Sequence, residues 1–235
     1  MKTKIILLFF IIIIEGIYAQ NVLPNYNGVW TDPRLNNPGR SVIVTDLIPF
    51  YQDRLDILRN EIYARYGHPF LNPKYREYFI SQNWYVEKHY FSESWLTEED
   101  RRRIELILSI EKPPCYGVIN EAKMNNIIYT GTYCDLLFPR FTSQYAVFRW
   151  REDTYNGYPE RIENRSWIVI GDWLITYSQM GDSRYQVHNW RINSSAREVG
   201  DRGTEGGSFR AIDKNIWEKF LSAQEPIKLQ YTKNW

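Results

Sequence analysis

The chain of 235 residues carries 29 basic and 28 acidic side chains, and 16% of it is aromatic, with nine tryptophans. That near-neutral balance gives no electrostatic case for nucleic acid or an anionic membrane as partner. The length allows one large or two small domains with a sizeable core.

Lys2 and Lys4 precede an apolar run from Ile5 to Ile14, and Tyr18-Ala19-Gln20 supplies a small residue for cleavage. A basic start and an apolar run too short for a comfortable membrane span are the layout of a secretory signal peptide, predicted over residues 1–19. A retained anchor is the alternative, because Ile17 is an imperfect third residue before the cut. Residues 1–19 hold Lys2, Lys4 and Glu15, so the mature chain is left with 27 charges of each sign. Gln20, not a cysteine, stands directly after the cut, so a lipid-anchored form is not indicated, and no transmembrane segment is expected after it. The expected location is the periplasm or the outer surface.

Residues 20–45 read as a short strand, Asn25–Asp32, leading into a loop around Asn36-Asn37-Pro38-Gly39. Three helices are predicted over residues 46–112. The first runs from near Pro49 to Tyr66, with Leu55, Leu58, Ile62 and Tyr66 on one face. Glu61 and Arg65 stand four apart in the favoured order for an ion pair, Gly67 sits at the C′ position, and Pro69 forbids continuation. The second starts at Asn72-Pro73, a cap followed by a proline at N1, and turns Tyr75, Tyr78 and Phe79 inward. The third starts at Thr97 with Asp100 three residues on, and buries Ile104, Ile107 and Leu108. Glu98, Glu99 and Asp100 followed by Arg101, Arg102 and Arg103 read as a solvated, dipole-matched face. Pro113-Pro114 closes the segment.

The run Tyr63-Ala64-Arg65-Tyr66-Gly67, followed by Phe70, Tyr78-Phe79, Trp84-Tyr85 and the charged helix from Thr97 to Glu111, resembles the YARHG domain over residues 46–112. The resemblance implies a small, presumed extracellular bacterial module of unknown molecular function. Tyr66 stands where the family has its histidine, so no role that needs an imidazole there carries over; His68 lies two residues on. Candidate binding residues are Tyr63, Arg65, Tyr66, His68, Trp84 and Tyr85. Glu61, Ala64, Gly67 and Phe70 are read as structural. Folding alone can also account for the signature: Ala64 admits a close helix, Gly67 caps, and Arg65 bonds carbonyls at the end of a neighbouring helix.

After residue 113 the period changes to two. Tyr145–Arg151 alternates, Asn156-Gly157 suits a hairpin turn, and Gly171-Asp172 separates Trp167–Ile170 from Trp173–Tyr177. Tyr185–Ile192 continues the meander, and Ile127–Tyr133 precedes it. A polar loop over 200–207, a short helix over Asp213–Ala223 and a last strand over Ile227–Tyr231 complete the reading. Residues 113–235 are therefore predicted to be an antiparallel β domain with a short C-terminal helix. The fold class is α+β: a small three-helix module plus an antiparallel β barrel or sandwich. Gly28-Val29-Trp30 is weakly similar to the first strand of lipocalin-like barrels. In an oxidising compartment Cys115 and Cys134 are expected to form a disulfide, stabilising by roughly 3 kcal/mol; a buried free pair is the alternative.

No catalytic, metal or cofactor motif is present. His68, His89 and His188 lack metal spacing, and there is no H-E-x-x-H or G-x-S-x-G pattern. His188 alternates with Trp190 and Ile192 as a packed sheet residue would. Three functions remain. The first is a non-catalytic envelope module whose aromatic rings bind a cell-wall or surface partner. The second is a carrier of a small apolar ligand, with Phe148, Trp150, Trp167 and Trp173 facing inward. The third is a hydrolase with a non-local site around Glu61, Arg65 and His68.

Overall fold

The computed structural model describes residues 21–37, 40–50, 54–114, 128–130, 134–137, 146–150, 152, 154–191 and 209–232. The predicted leader and Cys115 lie outside them. Two compact units form, one from Met1–Arg40 with Asp53–Ile107, the other from Ser41–Gln52 with Leu108–Trp235.

In the first unit, helix α2 spans Leu55–Ala64, α3 spans Pro73–Ile80, and α4 begins at Glu98 and runs on to Glu111. The predicted stop of α2 is built from two backbone bonds. Gly67 N–H donates to the Ala64 carbonyl at 2.8 Å, and His68 N–H reaches the Tyr63 carbonyl at 3.4 Å. This paired ending needs a left-handed residue, and Gly67 has φ +81°. Asn72 caps α3 by accepting from Lys74 N–H, with Pro73 at the first position. Thr97 and Asp100 form a reciprocal box at the start of α4: Thr97 N–H donates to Oδ2 at 3.0 Å, and Asp100 N–H to the threonine Oγ1 at 3.1 Å. Leu23, Ile57, Ala64, Phe70, Phe79, Trp84 and Tyr85 form a core cluster, with Tyr26, Tyr63, Tyr75 and Tyr78 packed against it.

Three expectations for this region are corrected, besides that for Leu108, which is exposed and not buried. Residues 25–32 make no strand; Val29–Thr31 is a 3-10 turn, closed by Thr31 N–H and Oγ1 on the Gly28 carbonyl at 3.0 and 2.7 Å. The weak lipocalin-like reading of Gly28-Val29-Trp30 goes with that strand. The predicted first helix is also divided. A short helix α1, Val44–Leu47, and a 3-10 turn, Ile48–Phe50, precede α2, and residues 41–52 belong to the second unit. The reason is apolar demand there: Val42, Ile43, Val44, Leu47 and Ile48 are all buried. Finally, the charged start of α4 is not all solvated. Asp100 and Arg103 are buried, because each has a partner inside the unit.

The second unit is a seven-stranded antiparallel meander in which every strand pairs with its sequence neighbours. The strands are β1 Ile128–Thr130, β2 Cys134–Leu137, β3 Ala146–Trp150, β4 Arg161–Ile170, β5 Trp173–Met180, β6 Arg184–Arg191 and β7 Phe209–Asp213. Strands β2 and β7 are additions to the sequence reading. Among the described residues the sheet is not closed into a barrel, and the α+β class holds. Gly171-Asp172 makes the predicted two-residue hairpin, with Gly171 at φ +52°.

Register sorts the sheet into two faces. Arg165 and Trp167 share one with Thr176, Ser178, Gln186, His188 and Trp190. Ile168, Ile170, Trp173, Ile175, Tyr177 and Val187 share the other. Trp173 is thus on the opposite face from Trp167 and Trp150, which corrects the single inward set predicted for these rings. Its indole N–H donates to Ser109 Oγ at 2.7 Å. Helix α5, Lys214–Thr232, covers the second face through Trp217, whose ring lies 5.0 Å from that of Tyr177. The last strand predicted over Ile227–Tyr231 is the end of this helix. Trp217, Phe220 and Gln224 are buried at three- and four-residue steps, as on one face of a helix.

Candidate partner-binding site

The signature on α2 and its C-terminal turn splits into two buried polar networks. Glu61 is buried and takes the hydroxyl of Tyr26 at 2.7 Å and the backbone N–H of Trp30 at 3.4 Å. Burial raises the Glu61 pKa, against the lowering effect of those donors and of Arg65. The predicted Glu61–Arg65 ion pair is not made. Arg65, one helical turn on, bonds through Nη2 to Asp100 Oδ1 instead. Its partner is a carboxylate at a helix N-terminus, not the helix-end carbonyls expected.

Asp100 has no exposed side-chain surface and is the centre of the second network. Besides Arg65 it accepts the Tyr66 hydroxyl at 2.6 Å and the Thr97 hydroxyl at 2.7 Å, both on Oδ2. Burial pushes its pKa up, but Arg65, Tyr66 and Thr97 together hold it below the usual aspartate range. Tyr66 is itself fully buried, and the Arg65 guanidinium sits 5.3 Å from its ring centroid. A phenol at 66 thus carries its polar atom to the carboxylate.

Trp84 and Tyr85 are buried core residues. Trp84 meets the Tyr26 ring edge-on at 4.9 Å, and Tyr85 donates its hydroxyl to the His68 carbonyl at 2.6 Å. Burial, with the charge of Glu87, pushes the Tyr85 phenol up to about 12. Phe70 stacks on Phe79 at 5.0 Å. Ala64 is fully buried in the same cluster.

Tyr63 and His68 lie nearer the surface. His68 stacks on Phe70 at 4.7 Å and lies 4.9 Å from Phe91; burial lowers its pKa, which favours the neutral ring. Tyr63 is 5.9 Å from Phe91, Phe91 is 5.8 Å from Trp95, and Trp95 is 5.5 Å from Tyr90. These rings form a strip of partly buried side chains that ends at Tyr90, which is 65% exposed. Lys88 Nζ lies over Trp95 at 5.2 Å. Tyr90, Phe91 and Trp95 carry no sequence pattern that singles them out; their one signal is aromatic density just before and within the 3-10 turn Glu93–Trp95.

Glu61, Arg65 and His68 therefore sit in three different environments: a Tyr26–Trp30 clasp, an Asp100 network and a ring stack. Among the described residues, no group of three His, Cys, Asp or Glu side chains is placed to hold a metal. No described helix is long and apolar enough to cross a membrane. In the second unit, Arg165 is fully buried and donates to Ser178 Oγ at 2.8 Å and to Gln186 Oε1 at 3.0 Å. Glu163 lies 3.4 Å from its Nε. Sequence reasoning missed this network, because its members come together only through strand register.

Residues 45–112 match the family model of the YARHG domain. The match covers the signature on α2 and both later helices, Pro73–Ile80 and Glu98–Glu111. No curated protein and no solved structure matches the chain.

Proposed function

We propose that this is an exported, non-catalytic bacterial cell-envelope protein whose YARHG segment binds a cell-wall or surface partner. On this reading residues 1–19 are a cleaved leader, 46–112 the binding module and 113–235 its β support, with Cys115 and Cys134 bonded. The observation that carries the binding role is the ring strip Tyr63–His68–Phe91–Trp95–Tyr90. Partly exposed rings of this kind give large contact area at low entropic cost, whether the partner is a sugar or a protein. Of the six candidate residues, the strip retains Tyr63 and His68; Arg65, Tyr66, Trp84 and Tyr85 are engaged inside the unit. Retention of the chain from Gln20 onward on purified peptidoglycan and on envelope extract tests this. Tyr90→Ala and Trp95→Ala should each reduce retention with an unchanged melting midpoint, and undiminished retention in both would remove the strip as the site.

A second reading, a carrier of a small apolar ligand, draws support from the sheet face with Trp150, Trp167, Trp190 and the buried Arg165. Tryptophan fluorescence titrated with a fatty acid tests it, and a flat titration counts against it.

A further inference from the structure

We propose that α2 presents a peptide-binding groove, and that the chain's own residues 21–36 occupy it as an exchangeable latch. The latch lies outside the family-matched residues 45–112. Between the latch and α2, residues 41–52 belong to the other unit. The segment thus reaches its groove as a tethered ligand does, with little regular structure of its own beyond one 3-10 turn.

The groove reads this segment by directional bonds as well as by shape. Leu23 N–H donates to the Arg65 carbonyl at 2.7 Å, and Lys88 Nζ to the Asn21 carbonyl at 3.0 Å. The Tyr26 hydroxyl and Trp30 N–H converge on Glu61, and the Trp30 indole N–H donates to the Leu58 carbonyl at 2.9 Å. Arg103 lies over the Trp30 ring at 4.8 Å and donates to the Leu35 carbonyl at 3.3 Å. A Cβ at Gly28 would overlap the Glu61 carboxylate, so the segment must bring a glycine between its tyrosine and its tryptophan.

These contacts define a ligand class: a peptide with tyrosine, glycine and tryptophan at alternate positions, as in Tyr26-Asn27-Gly28-Val29-Trp30. An aliphatic residue at 61 would pack against any apolar segment. A buried carboxylate accepts only a segment that supplies donors, and it penalises every other. A partner presenting the same pattern would displace the latch, which would give the module of the proposed function an occupied and an open state. That consequence rests on the binding role proposed above; the latch itself rests on the contacts.

The test replaces Pro38-Gly39 with a protease site in the chain from Gln20 onward. After cutting, the fragment should stay bound on size exclusion with the near-ultraviolet circular dichroism unchanged. An excess of fluorescent synthetic peptide of residues 21–37 should displace it. Tyr26→Phe in that peptide should weaken displacement about tenfold or more, the size of one lost hydrogen bond to a charged acceptor. A cut chain that loses its near-ultraviolet signal, a fragment that no excess peptide displaces, or a Tyr26→Phe peptide of equal potency overturns the proposal and makes residues 21–36 ordinary core. Envelope retention of the uncut chain is measured separately, so a failed envelope partner and a failed latch give different results.

Discussion

Tyr66 and Asp100 stand 34 positions apart and meet through a 2.6 Å hydrogen bond from phenol to carboxylate. Arg65 binds the other oxygen of the same carboxylate, so two neighbouring signature residues share one buried anion at the start of α4. Asp100 also closes the Thr97 box, which makes it the joint between two helices.

That geometry sets the outcome of substitutions at Arg65. Lysine supplies a point charge and cannot reproduce the planar donor set, so Arg65→Lys should destabilise nearly as much as Arg65→Ala. Removing the guanidinium takes the counter-charge from a buried carboxylate that keeps only Tyr66 and Thr97 as donors, a loss of roughly 3 kcal/mol. Urea midpoints of the two variants decide it. A stable Arg65→Ala protein that no longer binds envelope extract would put the site on this turn.

Asp100 and Glu61 should oppose each other in acid. The Asp100 pKa is depressed in the folded state, so its stabilisation is present above the usual aspartate value of about 4 and fades as pH falls through the folded value. The Glu61 pKa is raised, so its contribution is full below the usual glutamate value of about 4.3 and fades as pH rises through the folded value. Glu61→Gln should therefore remove a fall in stability that sets in as pH rises above about 4.3, and Asp100→Asn a fall that sets in as pH drops below about 4. Chemical denaturation at stepped pH reads both slopes. Matching slopes in wild type and Glu61→Gln would show that the carboxyl has no shifted titration.

At Gly67 a side chain is excluded twice over. The residue has φ +81°, and a Cβ would lie 2.7 Å from Lys88 Cγ and 2.9 Å from the Val86 carbonyl. Gly67→Ala should cost at least about 1 kcal/mol, and Gly67→Val more. An unmoved denaturation midpoint for the valine variant would rule out the cap.

Two hairpin glycines separate backbone strain from crowding. Gly157 and Gly171 have φ +71° and +52°, but a Cβ at 157 meets nothing within 4 Å, whereas one at 171 would overlap the Ser109 carbonyl and lie 2.8 Å from that of Ile110. Gly157→Ala should show the conformational cost alone, about 1 kcal/mol. Gly171→Ala should exceed it clearly in a thermal melt, since backbone atoms cannot move aside cheaply; equal losses would mean that the hairpin relaxes away from Ser109.

Mass spectrometry of exported protein without reductant checks the covalent expectations. A mature N-terminus at Gln20 and a bonded Cys115–Cys134 pair are the expected result. Free thiols on both residues would remove the disulfide and leave export standing.

What the sequence determined by itself was local. Gly67 as a left-handed stop, Asn72-Pro73 as a start, the Thr97–Asp100 box and the Gly171-Asp172 hairpin all depend on a few adjacent residues, whose φ preferences and side-chain reach act over one turn. The family-matched segment was legible for the same reason, since its signature lies in one continuous run. The tertiary structure alone decided which charges are inside. Asp100 and Arg103 look like solvated helix residues until Arg65, Tyr66, Trp30 and Leu35 are brought to them from elsewhere in the chain. It also decided that residues 25–32 clasp Glu61 and form no strand, and that Trp173 and Trp167 part to opposite faces. Each of these turns on partners dozens of positions apart, and the free energy of burying a charge depends on that partner far more than on its neighbours in sequence.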